Sequence, residues 1–164
     1  MRRILTTFIT VSILGGALVA AAQQAPQISP KLKEVVDRMK AYATANPKFV
    51  NRTAQGAFYF KWIQSPPPEY QKAFFQLGEL NVGKRFLSLK LIRQTSAGVE
   101  LLVLNDSDMN GSIEEAYKAT GRTLADADRA MTTSSDKLKI PVTPEMTASW
   151  SAMLDELKWE LKAD

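Results

Sequence analysis

The chain of 164 residues contains neither cysteine nor histidine. Without cysteine there is no disulfide, so the fold must be held by packing alone, and a cysteine-linked lipid anchor is excluded. Without histidine the commonest general base, the commonest zinc ligand and the usual switch near neutral pH are missing. Together the two absences remove Ser-His, Cys-His and standard zinc chemistry. An enzyme built on this chain would have to use carboxylates, Lys, Tyr, Ser/Thr or an oxygen-ligated metal.

A strong charge of either sign is also missing. There are 21 basic and 17 acidic residues, a formal charge of +4; setting aside Arg2 and Arg3 leaves 19 against 17, or +2. Such a balance argues against a nucleic-acid partner. No glycine-rich phosphate loop occurs, since Asn81-Val82-Gly83-Lys84 lacks the required spacing. Asn51-Arg52-Thr53 is a formal glycosylation sequon.

The only long apolar run is at the start. Arg2 and Arg3 precede a mostly apolar stretch, Ile4 to Val19, and then Ala20-Ala21-Ala22 and polar Gln23-Gln24. This order of charge, apolar core and small residues is that of a cleaved secretory signal. The expectation is a signal peptide at 1–22, a mobile leader at 23–28 and one domain at 29–164. The domain would be exported, periplasmic or extracellular, with no membrane span after signal cleavage.

Periodicity predicts the elements that follow. Ser29-Pro30 opens a helix whose stripe is Leu32, Val35, Val36, Met39, Tyr42 and Ala43. Phe58, Phe60 and Trp62 alternate with Tyr59, Lys61 and Ile63, the period of a strand over about 57–64. Tyr70, Ala73, Phe74 and Leu77 suggest a second helix, from about Pro68 to Leu80. Two β-rich runs, Phe86–Arg93 and Val99–Leu104, form a hairpin, the second apolar enough to be central. Ser112 and Glu115 have the spacing of a capping box, predicting a short helix to about Ala119. Thr123 starts another helix, Lys137–Val142 reads as an edge strand, and Thr143-Pro144 opens the last helix. On that helix Met146, Trp150, Met153, Leu154, Leu157 and Leu161 fall within about 100° of arc. The fold class expected from this order is α+β: a small antiparallel sheet, the hairpin of about 86–104 plus the strand of about 57–64, packed against four to five helices.

Two groups of residues suggest function. Asp106-x-Asp108-x-Asn110-Gly111-x-Ile113 resembles the first eight positions of an EF-hand-type calcium loop. By that resemblance Asp106, Asp108 and Asn110 would supply side-chain oxygens, Ser112 its carbonyl, and Glu114 a ligand through water, making Ca²⁺ the one cofactor suggested. The pattern departs from the family at the twelfth position, where Tyr117 replaces the bidentate acid, and a strand rather than a helix precedes it. Asp, Asn and Gly also suit an ordinary tight turn.

The second group is aromatic. Trp159 lies opposite the stripe of the last helix, with small Ala148 and Ala152 near it. Phe75 is off its predicted helical stripe, and Tyr59 and Ile63 lie opposite Phe58, Phe60 and Trp62. Trp159, Phe75 and Tyr59 are therefore the candidate binding residues. With no catalytic constellation to set against them, they suggest a binding module for an envelope protein or an apolar small ligand. The competing expectation is a small carboxylate-dependent hydrolase acting on cell-envelope material.

Overall fold

A computed structural model describes residues 28–133 and 138–163. The expected signal peptide and most of the expected leader lie outside these residues, as does the beginning of the Lys137 strand. Among the described residues no helix is long and apolar enough to cross a membrane.

Seven strands follow one another in space as they do in sequence: β1 (Val50–Thr53), β2 (Gly56–Ile63), β3 (Lys72–Leu80), β4 (Arg85–Thr95), β5 (Gly98–Asp106), β6 (Glu115–Gly121) and β7 (Leu138–Ile140). Every neighbouring pair is antiparallel. Among the described residues three α-helices accompany them: α1 (Pro30–Ala45) before the sheet, α2 (Leu124–Thr132) between β6 and β7, and α3 (Pro144–Ala163) at the end. The α+β expectation of a small sheet under four to five helices is thus corrected to a long sheet with three helices.

The two segments expected as helices at about 68–80 and 112–119 instead carry strands β3 and β6, and in each the sheet overrides a local helical signal. In β3 the period is two: Ala73, Phe75 and Leu77 are buried on one face while Lys72, Phe74 and Gln76 take the other. Phe75, anomalous on a helix, fits this alternation. β3 also pairs along its length with β2 and β4, bonds no surface helix could offer. At β6, Ser112 and Glu115 form no cap. The Ser112 N–H donates to Asn110 Oδ1 at 2.7 Å, and Glu115 pairs with Lys139 at 2.8 Å. Extending this segment covers the edge of apolar β5, an edge that would otherwise template aggregation.

Alternation along the sheet sets up two faces. The first carries Tyr59, Ile63, Phe75, Leu77, Leu87, Leu89, Leu91, Leu102 and Leu104. Onto it pack the stripes of α1 and α3, led by Leu32, Met39, Trp150 and Leu157, giving the main core. Phase is why those helices face inward: their apolar residues recur at helical spacing, and Ser29 caps α1 at Lys31. Ile28, at the predicted leader's last position, already packs on this core. Among the described residues, the other face is covered only over its β5–β6 part, where α2 lays Ala127 on Ile92, Leu101 and Val103. Thr123 and Asp126 begin α2 with a reciprocal capping box. Gly121 permits the approach, since a Cβ there would lie 2.5 Å from the Ala127 nitrogen.

Candidate functional site

The uncovered part of the second face is aromatic. Phe58, Phe60 and Trp62 descend β2 on this face, and Phe74 follows on β3. Cross-strand pairing sets Trp62 opposite Phe74, with ring centroids 4.6 Å apart, and Phe60 lies 6.2 Å from the same ring. Farther along, Gly78 stands between Phe58 and Phe86, and the Phe86 ring lies so close above it that a Cβ would come within 2.3 Å. Glycine here lets an aromatic ring lie flat on the backbone. Trp62 is 40% exposed, on the part of β2 that extends beyond its pairing with β1.

With α2 as one wall, this face bounds a groove of about 880 Å³. Leu124, Ala125, Asp128 and Thr132 line it from the helix, Asn51 and Gln55 from the β1 side, and Gln76 and Lys90 from the floor. Lys90 Nζ bridges floor and wall, 3.2 Å from Asp128 Oδ1 and 5.5 Å from the Phe74 ring centroid. Among the described residues the groove thus holds one carboxylate, and that one is paired.

The predicted binding residues are placed elsewhere. Tyr59 and Phe75 face the main core, the latter edge-on to Trp150 at 5.6 Å. Trp159 is 64% exposed on the outer side of α3, away from the groove. The residues that do line the groove, Phe58, Phe60, Trp62 and Phe74, belong to the alternate positions of the same strands. The signal that separates the faces is register, since Phe75 pairs with Leu89 while Phe74 pairs with Lys90.

The residues of the calcium-loop resemblance form a tight, internally bonded turn. Carboxylate oxygens of Asp106, Asp108 and Glu114 lie within 4.8 Å of one another. Asp106 is fully buried, and its two oxygens accept the N–H groups of Asn110 at 3.1 Å and Gly111 at 2.8 Å. The Asn110 amide donates to both Asp108 and Glu114. Glu114 also accepts the Ser107 N–H at 2.9 Å. The loop is tied to the body through the Trp150 indole N–H on the Gly111 carbonyl (3.0 Å) and the Ser29 N–H on the Met109 carbonyl (2.9 Å). Met109 is buried with φ 61°, a left-handed conformation held by those ties. Burial pushes the Asp106 carboxyl up to about 6; the N–H bond from Gly111 opposes this and the nearby Glu114 charge adds to it. Tyr117, at the loop's twelfth position, is in β6 opposite Val103, on the α2 face. The loop's own hydrogen bonds therefore account for its Asp, Asn and Gly residues.

Of the other acids, Glu79 and Glu100 each lie between two cations: Lys40 and Arg85 in the first case, Arg93 and Lys118 in the second. Compared with protein-family models, curated protein sequences and solved structures, the chain matches none of them.

Proposed function

We propose that this chain is a binding protein that holds an apolar small ligand in the groove between α2 and the aromatic face of β2 and β3. The observation that carries the reading is the uncovered row of Phe58, Phe60, Trp62 and Phe74 beside a concavity of about 880 Å³. That volume suits a small molecule, and apolar walls with a few polar groups are what such sites present. Lys90, Asp128 and Gln76 would orient a polar substituent, while the rings supply contact area with little rotamer entropy to lose. A hydrolase would need at least two acids at a cleft, and the described residues bring one to the groove, paired with Lys90. The signal-like order of residues 1–22 supports placing this activity outside the cytoplasm.

An uncharged naphthyl fluorophore tests the reading. Saturable binding near one per chain is expected, with fluorescence transfer from tryptophan that falls in Trp62→Phe. Phe60→Ala combined with Phe74→Ala should weaken binding by about tenfold or more, the loss expected from removing two ring contacts. Binding that survives the double substitution would sink the proposal.

A further inference from the structure

At the end of the sheet where β1 turns into β2 and β3 into β4, the face opposite the groove carries a separate concavity of about 340 Å³. The two turns are clamped together: Asn81 donates its N–H to the Gln55 carbonyl and its amide to the Ala54 carbonyl, both at 2.9 Å. Lys40 of α1, Arg52 of β1, Lys84 of the second turn and Arg85 of β4 line the concavity, against one carboxylate, Glu79. Four cations meeting one anion is unexpected in a chain so nearly balanced overall.

Glu79 explains how two of the cations are held. It accepts from Lys40 Nζ at 2.9 Å and from Arg85 Nε at 3.1 Å, and the Tyr59 hydroxyl lies 3.4 Å away. Burial pushes the Glu79 carboxyl up, but the hydrogen bond and charge of Lys40, with the charge of Arg85, outweigh this and hold it below its ordinary value. It is an anion at neutral pH that splints its neighbours. Arg85 uses only Nε in this pair, so both Nη groups remain. Arg52 and Lys84 have no ion pair among the described residues and are exposed.

We propose that this concavity binds a phosphoryl group. The unspent donors on Arg85, Arg52 and Lys84 outnumber what the two oxygens of a carboxylate can engage, whereas a phosphate offers three or four. Guanidinium groups match its oxygens in pairs, with Lys84 as a point charge. The site lies across the sheet from the aromatic groove and does not depend on it.

The test uses the full domain and two sources of phosphate. Inorganic phosphate is titrated while the Nε–Hε signals of Arg52 and Arg85 are followed, and sedimentation is measured with vesicles of phosphatidylglycerol against phosphatidylcholine. A saturable shift is expected, weakened about tenfold or more in Arg52→Gln/Lys84→Gln through loss of charge-assisted bonds. An unchanged melting temperature shows that this variant is folded. Shifts with inorganic phosphate but no vesicle binding identify a soluble phosphate as the source. Sedimentation with phosphatidylglycerol alone, lost in the double variant, identifies a lipid headgroup. Neither shift nor sedimentation, or binding that the double variant retains, overturns the proposal.

Discussion

The two faces of the sheet are both rich in apolar side chains but meet different fates. On one, Tyr59, Phe75 and the leucines of β4 are sealed under α1 and α3. On the other, Phe58, Phe60, Trp62 and Phe74 meet only the single short helix α2, and a groove remains. Position i and position i+1 of the same strand thus do different work: one stabilises the fold, and the next is left available for a ligand. Hydrophobicity alone does not distinguish them; what distinguishes them is how many helices the topology supplies to each side.

The sharpest way to break this comparison is to truncate one ring on each face. Phe75→Ala should destabilise the fold by about 3–5 kcal/mol in urea unfolding, because the ring is fully buried against Trp150. Trp62→Ala should cost under about 1 kcal/mol, since much of its surface already meets water, while lowering transfer to the fluorophore. Equal losses would mean that the groove face is core.

The helix-covered face also contains a buried ion pair. Lys61 Nζ lies 3.6 Å from Glu160 Oε2 and 4.3 Å over the Tyr42 ring, and Glu160 Oε1 accepts the Gln64 N–H at 2.7 Å. Glu160→Ala should cost about 3–5 kcal/mol, because it breaks this buried pair and removes the acceptor of the Gln64 N–H. Replacing both partners by Met should recover most of it, and urea midpoints of the two variants would show this.

Asp106 gives a pH signature. Its folded value of about 6 exceeds the ordinary 3.8, so the folded chain holds this proton more tightly than the unfolded chain does. The stability it contributes is full below the unfolded value and is lost as pH rises through about 6. Glu114→Gln removes one cause of the rise, so the carboxyl titration followed by NMR should move to lower pH.

These contrasts explain what could be read in advance. The helices α1, α2 and α3 and the β4–β5 hairpin are legible because local pattern and tertiary role agree: Leu32, Met39, Trp150 and Leu157 recur at helical spacing and all are buried. β3 and β6 are not, because Tyr70, Phe74 and Leu77 mimic a helical stripe, and Ser112 with Glu115 mimics a cap. Only pairing with β2, β4, β5 and β7 decides those segments, and that information is non-local. The candidate site was half legible. The aromatic strand is visible in the alternation of β2, but Tyr59 of β2 and Phe75 of β3 lie on the core-facing side, and Trp159 lies on a surface outside the groove.

The smallest effect is expected from calcium. Its carboxylates are gathered, yet Asp106 is occupied by two backbone N–H groups and Asn110 bonds both Asp108 and Glu114. Calcium at about 1 mM should therefore raise the melting temperature by less than about 1 °C, the response of a site far from saturation. A rise of several degrees would make the loop a metal site.

The central claim, that the uncovered aromatic face receives the ligand, is tested most directly by mapping amide shifts while the naphthyl fluorophore is added. The account predicts shifts that saturate together along β2 and β3 and on α2 from Leu124 to Thr132. Shifts centred on α3 around Trp159, with β2 and α2 unmoved, would contradict it.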